Sequence, residues 1–203
     1  MFKIGPHEEH ILSVFYGTLL GDSYLEKRSK NVRISFQQEN KNVEYLMWLW
    51  NLLAISGYCT NKRPKLHQRI GARGQIRFYY RLNTYTFSSL NFLYDQFYKD
   101  GCKIKRVPCN IIEYLTPLAL ACWIMDDGGP VGSGIKLSTQ GFLKEDVILL
   151  SDSFYVKWNI KCNLQNTGKI NQWIIYIPKK EVYKVQYLVE PYMVKSMLYK
   201  IHK

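Results

Sequence analysis

Two segments, one in each half of the chain, share an unusual pattern: an apolar run with small residues that closes on an aspartate. The first covers residues 15–23 and closes on Asp22; the second covers residues 120–128 and closes on Asp127. Each pattern predicts a hydrophobic helix whose C-terminal end carries a carboxylate, where the helix dipole already places partial negative charge. Because that position is unfavourable for an acid, two such helices predict a paired site in which both carboxylates hold a cation.

The same two predicted helices carry small residues on their apolar faces. Small side chains allow two helix backbones to approach closely, so we expect the helices to pack together with their aspartates adjacent. The residues concerned are Gly17, Gly21, Ala119, Ala121 and Cys122.

Each aspartate, taken alone, also has a simpler interpretation. Asp22 could be an ordinary turn residue, and residues 126–129 (Asp-Asp-Gly-Gly) could be a helix end with a glycine cap. The functional interpretation is favoured because both acids occupy matching positions in a duplicated unit.

The chain between and after these segments repeats one order of elements: helix, strand, strand, helix, strand, strand, helix. Alternating apolar and polar positions predict the strands, and apolar positions at helical spacing predict the helices. We therefore predict two similar halves, residues 1–104 and 105–203. The main expected elements are helices at 8–22, 40–55, 87–98, 117–127, 144–156 and 180–189, with strands at 32–38, 61–67, 75–82, 135–140, 160–165 and 172–177.

Composition narrows the class of partner. The 203 residues carry a net charge of +12, which points to a polyanion, with an anionic membrane surface as the rival explanation. No apolar run reaches the roughly 18 residues of a membrane-spanning helix, and the start resembles neither a signal nor a transit peptide. The five cysteines form no zinc-binding spacing, and His7 and His10 lack a third ligand nearby in the sequence.

The basic residues cluster on predicted strands. Residues 45–94 contain seven Lys or Arg and no acid, and residues 153–180 contain five Lys and no acid, whereas ordinary solvated faces mix both signs. Arg, Lys, Gln, Asn and Ser are side chains that hydrogen-bond phosphates and base edges. The predicted DNA-binding residues are Lys27, Arg28, Lys30, Arg33, Ser35, Gln37, Asn61, Arg63, Lys65, His67, Arg69, Arg73, Gln75, Arg77, Tyr79, Arg81, Lys136, Ser138, Lys161, Asn163, Gln165, Lys169 and Gln172.

The two acidic segments resemble the motifs of the LAGLIDADG homing endonucleases. The first copy keeps the consensus Gly17 and Asp22; the second keeps Leu120, Ala121, Asp127 and Gly128. Further stretches over nearly the whole chain resemble the subgroup of the fungal mitochondrial omega-intron endonuclease. They are Gly21–Tyr24, Tyr114–Pro117, Trp123–Gly129, Ser138–Phe142, Pro191–Tyr192 and Met197–Lys200.

The resemblance implies an α+β fold: two pseudo-symmetric αββαββα halves with saddle-shaped antiparallel sheets and the motif helices packed at the centre. It implies a monomer that binds double-stranded DNA at a long asymmetric site and cuts both strands, leaving four-base 3′ overhangs. The expected location is an organelle, the mitochondrion first and the chloroplast second, for an intron-encoded enzyme.

The resemblance also implies roles for individual residues. The carboxylates of Asp22 and Asp127, with the backbone carbonyls of Gly21 and Asp126, would bind Mg²⁺, and Mn²⁺ would substitute. A metal-activated water would then attack one phosphate on each strand. The lysines expected beside the active centre are Lys105 and Lys200, with Lys103 competing for the first role. Gln37 and Gln140 are candidates on separate grounds: they lie on the predicted polar strand faces, where they either orient water or make ordinary contacts with the DNA backbone, bases or solvent.

Two other functions remain open at this point. Some members of the family are RNA maturases that assist splicing, so host intron RNA is a second candidate partner. A DNA-binding regulator without cleavage is the third candidate, but such a protein has no need for two acidic helix ends.

Overall fold

The structure, a computed structural model, describes residues 5–71, 74–99 and 104–202. In the first half the elements follow the predicted order, with 3₁₀ helices at 40–42 and 88–90. These elements are α1 (Glu9–Leu20), β1 (Tyr24–Arg28), β2 (Asn31–Glu39), α2 (Val43–Ile55), β3 (Leu66–Ile70), β4 (Ile76–Asn83) and α3 (Asn91–Phe97).

The second half repeats this order after one additional short helix, α4 (Ile111–Tyr114). Thr116 begins the central helix, because its side chain accepts a hydrogen bond from the backbone N–H of Ala119 and Pro117 occupies the first turn. The remaining elements are α5 (Pro117–Asp127), β5 (Gly128–Val131), β6 (Gly134–Leu137), α6 (Lys144–Trp158), β7 (Asn163–Asn166), β8 (Trp173–Ile177), α7 (Lys179–Val189) and 3₁₀ helices at 190–192 and 195–200.

Each half contributes one four-stranded antiparallel sheet, and the two sheets have the same topology. The strand orders are β1-β2-β4-β3 and β5-β6-β8-β7. The predicted α+β fold with two repeated halves is confirmed. The exact boundary at 104/105 stays a prediction. None of the helices in the described part of the chain has the length and apolar character that a membrane crossing requires.

Several predicted element bounds were wrong. Asn40 does not cap α2: residues 40–42 form a 3₁₀ turn, and α2 begins at Val43 without a side-chain cap. β3 begins at Leu66, so Asn61, Arg63 and Lys65 precede the strand. Polar alternation over 61–67 is equally compatible with an exposed loop, because no apolar partner residues anchor its register.

The centre of the molecule is the contact between α1 and α5, the most extensive contact between any two of the described elements. A Cβ atom on Gly17 would lie 2.2 Å from the carbonyl oxygen of Ala119, so the two backbones touch at this point. Towards the C-terminal ends, a Cβ atom on Gly21 would lie 2.4 Å from the Cβ of Asp126. The predicted close approach of the motif helices is therefore confirmed, and both helices point their C-terminal ends to the same place.

Gly17→Ala is expected to destabilise the protein, since its methyl group meets backbone rather than a movable side chain. Overpacking of this kind costs about 1–3 kcal/mol in the free energy of unfolding, measurable by chemical denaturation. Gly141→Ala is the matched control, because a Cβ there meets nothing within 4 Å. Equal stability of the two variants would contradict the close helix contact.

Candidate active site

Three carboxylates, not two, meet where α1 and α5 end. Asp22 lies two residues after the end of α1, and Asp126 and Asp127 are the last two residues of α5. Asp126 fits here because Gly21 has no side chain: a Cβ on Gly21 would lie 2.7 Å from a carboxylate oxygen of Asp126. The site thus contains the predicted pair together with an additional, enclosed acid.

Two of these acids, Asp126 and Asp127, have raised pKa values. Burial raises the pKa of Asp127 to about 6, and the charge of Asp22 adds to the effect. Burial and then the charges of Asp22 and Asp127 raise the pKa of Asp126 well above its usual range. The crowded negative charge is costly in the protein alone, and a bound cation would relieve it.

Two lysines cap the helix ends beside these acids. The Lys105 ammonium donates to the carbonyls of Leu19, Gly21 and Ser23 at 2.8–3.0 Å. Lysine side chains near a helix C-terminus satisfy carbonyls that have no partner within the helix.

Lys200 makes the equivalent contacts at the end of α5. Its ammonium donates to the carbonyls of Ile124, Met125 and Asp126 at 2.5–3.2 Å. Although it lies near the end of the chain, Lys200 is 6% exposed within the 3₁₀ helix at 195–200. The structure therefore places one lysine at each motif helix. Lys103 lies outside the described residues.

Burial lowers the pKa of both lysines, while the neighbouring aspartates oppose that shift. For Lys105 the result is a pKa of about 8, with Asp127 as the strongest opposing charge. For Lys200 the pKa is also lowered, and Asp126 is the strongest opposing charge. Lys105, Lys200, Asp126 and Asp127 thus have pKa values that depend on the charges of their neighbours at this site.

The backbone carbonyls of Gly21 and Asp126, predicted as metal ligands, accept hydrogen bonds from these lysines. A carbonyl oxygen has two lone pairs, so a lysine contact leaves one available for another partner. Their role as metal ligands stays a prediction.

The glutamine that reaches the acids is Gln38, which the sequence analysis missed. Its side-chain amide donates to Asp126 at 2.7 Å and to Asp22 at 3.4 Å. Asn42 orients it by donating to its amide oxygen at 2.9 Å. The sequence contains an indication of this role, because Gln38 continues the alternating buried positions of Ile34 and Phe36 along β2. A polar side chain at a buried position needs a buried polar partner.

Gln37, the predicted candidate, instead lies on the opposite face of β2, where Arg81 donates to it at 3.0 Å. Gln37 pairs with Arg81 and Gln38 pairs with Tyr80 in the same ladder. Successive side chains of a strand point to opposite faces, so the two glutamines project to opposite sides of the sheet. A one-residue difference in register thus decides which glutamine faces the acids.

The second half has no equivalent glutamine among its described residues. Tyr24 and Gly129 each lie two residues after a motif aspartate, and they pair with Ser35 and Lys136 respectively. Gln38 lies three residues after Ser35, so the equivalent position three residues after Lys136 is Thr139. Thr139 is buried and donates to the carbonyl of Trp173 at 2.7 Å. Gln140 was predicted on a strand face, which is wrong: β6 ends at Leu137 and Gln140 is exposed in the following turn.

The polar face of the first sheet carries the predicted basic residues, but two glutamates share it. Glu39 lies 3.3 Å from Arg77 and 3.5 Å from Arg69. Glu26 binds Arg33 at 2.6 Å and Arg28 at 2.9 Å. The tertiary structure thus brings Glu39 to two arginines whose own stretch of sequence, residues 45–94, contains no acid.

Most other predicted DNA-binding residues are accessible. Ser35 is an exception: it is buried on β2, between its partners Tyr24 of β1 and Asn83 of β4, so its placement on an exposed face was wrong. Arg73 lies outside the described residues. The exposed or half-buried residues are Lys27, Lys30, Asn61, Arg63, Lys65, His67, Gln75, Tyr79, Arg81, Lys136, Ser138, Lys161, Asn163, Gln165, Lys169 and Gln172.

Sequence comparison identifies relatives over almost the entire chain. The chain is 42% identical to the cytochrome b mRNA maturase bI2 of Saccharomyces cerevisiae over 206 residues, which is 98% of this chain and 49% of that protein. It is 39% identical to the Debaryomyces hansenii protein of the same name, over 97% of this chain and 75% of that protein. It is 36% identical to the intron-encoded endonuclease ai4 of Dictyostelium discoideum, over 72% of this chain and 93% of that protein. The chain therefore spans about half the length of the Saccharomyces maturase.

Structural comparison agrees with the sequence relatives. The homing endonuclease I-WcaI, solved bound to its DNA recognition sequence, superposes with a TM-score of 0.86 at 27% identity, covering 98% of this chain and 88% of that one. The model of the LAGLIDADG DNA endonuclease family matches residues 12–185, which include both acidic helix ends. This chain belongs to the LAGLIDADG DNA endonuclease family.

Proposed function

We propose that this protein is a site-specific homing endonuclease that makes metal-dependent double-strand breaks in DNA and leaves four-base 3′ overhangs. One observation carries the proposal. The family's two motif helices end together, with Asp22 and Asp127 electrostatically coupled at the junction. A DNA-binding regulator has no use for this costly arrangement.

The oxygen donors at the junction fit Mg²⁺. Asp22 and Asp127 would hold the metal, with the carbonyls of Gly21 and Asp126 as further hard oxygen donors. Mg²⁺ usually retains waters and binds substrate phosphates, so it needs only one or two carboxylates from the protein, and we expect Mn²⁺ to substitute.

When bound, Mg²⁺ would supply an activated water and stabilise the charge that develops on the phosphate. The residues of this chain hold the acidic helix ends in position and supply positive charge beside them. Lys105 and Lys200 hold the helix ends in place and present positive charge beside the acids. Gln38 holds Asp22 against Asp126 and thereby fixes the orientation of one of the two carboxylates.

The proposed substrate is a long duplex bound across both sheets by a single chain. The similarity to I-WcaI, which was solved with its DNA recognition sequence, supports this partner. The two polar faces differ: the first is rich in arginine, and the second carries Lys136, Asn163 and Gln165. Different faces read different half-sites, so we expect a monomer on an asymmetric target.

A cleavage selection tests the proposal directly. Purified protein would be incubated with a randomised duplex library and Mg²⁺, and the cut ends would be sequenced. We expect one long non-palindromic site with staggered 3′ ends. Uncut libraries in both Mg²⁺ and Mn²⁺, or blunt ends, would contradict the proposal.

The affinity for DNA is expected to depend steeply on salt. If the faces neutralise about 6–10 phosphates, log K falls against log salt with a slope of about −5 to −9. The pairs of Arg69 and Arg77 with Glu39 must be exchanged for phosphate contacts, so Glu39→Gln should strengthen binding at low salt. Fluorescence anisotropy over a salt series measures both effects. A slope near −1 would mean that these faces do not bind DNA.

RNA maturation is a second candidate function, favoured by two relatives that match 98% and 97% of this chain, both of which are named cytochrome b mRNA maturases. Those names also support the mitochondrion as the proposed location. Retention of the host intron RNA by the purified protein, and faster splicing of that RNA in its presence, would support this function; no effect on either would exclude it.

A further inference from the structure

Helix α7 exposes an aromatic and basic stripe that the endonuclease function does not use. Tyr183 is 63% exposed and Tyr187 is 85% exposed. They lie four residues apart, on the same side of the helix as Lys179 and Lys180, which are also exposed. The nearby acid on this helix, Glu181, is buried and paired with Lys184 at 2.7 Å. The stripe is therefore positively charged and carries two accessible aromatic rings.

An open groove of about 480 Å³ lies beside this stripe. Trp158, at the end of α6, lines it together with Tyr183, Tyr187 and Leu188. The loop after α6 extends the same surface with a basic residue. The ammonium of Lys161 lies 6.0 Å from the ring centroid of the exposed Tyr155. Although predicted as a DNA contact, Lys161 is thus directed towards this helical surface.

This α6–α7 surface lies on the opposite side of the second sheet from its polar face. The inner sides of α6 and α7 pack against β6, β7 and β8, and α7 also packs against α5. Their outer sides consequently face away from the strand surface that we assign to DNA. A ligand at the α6–α7 surface would leave the DNA surface free.

We infer that the α6–α7 surface binds unpaired RNA, with bases stacked on Tyr183, Tyr187 and Trp158 and phosphates contacted by lysines. Aromatic rings interleaved with basic residues suit single strands, because every base has a face that stacks and every phosphate is negative. A protein partner would also use tyrosines, but it would need acids to match these lysines. The inference rests on the second, RNA-maturing function proposed above.

Binding of a fluorescein-labelled oligo(U) RNA of about 20 nucleotides tests this inference. The double variant Tyr183→Ala/Tyr187→Ala is expected to weaken RNA binding at least about thirtyfold, since two stacking contacts are lost. Tyr183→Phe/Tyr187→Phe is the matched control: it keeps both rings and should bind RNA as the wild type does. Lys179→Ala/Lys180→Ala should weaken binding and flatten its salt dependence.

DNA cleavage by the same variants separates this inference from the endonuclease proposal. The tyrosine variants should cut the selected DNA site at the wild-type rate, and excess duplex DNA should not displace the RNA. A wild-type protein that cuts no DNA would overturn the endonuclease proposal alone. Equal RNA affinity of the alanine and phenylalanine variants, or full displacement of RNA by duplex DNA, would overturn the RNA surface. A melting temperature unchanged among the variants verifies that each is folded.

Discussion

Asp22→Asn and Asp127→Asn are each expected to lose double-strand cleavage by a factor of at least about 100 while keeping their affinity for DNA. Asparagine preserves the shape of the side chain but removes the charge that would hold the metal. The sheets, which carry the proposed DNA contacts, are unchanged. Strand-resolved cleavage assays with the selected site, together with anisotropy in Ca²⁺, measure the two effects separately.

Asp127→Asn should also stabilise the protein in the absence of metal. An acid whose pKa rises from 3.8 to about 6 on folding binds its proton more tightly in the folded state. Its contribution to stability is therefore complete at low pH and is lost as the pH rises through this interval. Because asparagine does not ionise, the variant avoids that loss, which amounts to at most about 3 kcal/mol at neutral pH.

Asp152→Asn, an exposed acid on α6, is the control for both measurements and should change neither cleavage nor stability. Full double-strand cleavage by either active-site variant would refute the paired carboxylate site. A less stable Asp127→Asn protein would instead contradict the electrostatic strain at the helix ends.

Lys105→Met and Lys200→Met are expected to slow the chemical step by about ten- to a thousandfold with DNA saturating. Each ammonium donates to three backbone carbonyls beside the acids, so methionine removes both the charge and the cap. The unpaired carbonyls should also lower the stability of both variants. Single-turnover kinetics under saturating DNA isolates the chemical step from binding.

The pH profile distinguishes an electrostatic role from a purely structural one. Both lysines lower the pKa of Asp127, so without either of them that pKa rises further and the cleavage rate should decline at a higher pH on the acidic side. Lys27→Met is the control, since Lys27 is exposed and should affect binding alone. Weakened binding with an unchanged saturated rate and pH profile would exclude a role for Lys105 and Lys200 in the reaction.

The sequence by itself identified the site residues that can be recognised from their immediate neighbours in the chain. Asp22 and Asp127 stand out because an apolar helix that ends on an acid conflicts with the helix dipole, and the conflict occurs twice. Gly17 and Gly21 predicted the close helix contact, because a residue without a side chain has one clear use between packed helices. Family resemblance added Lys105 and Lys200, each of which the structure places at one helix end.

Only the tertiary structure decided how the two halves combine at the site. Gln38 reaches Asp126 across 88 positions of sequence, and Asp126 enters the site because it packs against Gly21. Glu39 lies beside Arg77 because β2 pairs with β4, and Ser35, which also pairs with β4, is buried. These contacts depend on the register between strands and on the crossing of the helices. A sequence pattern shows which residues of one strand or helix share a face, but it does not show which other strand or helix covers that face.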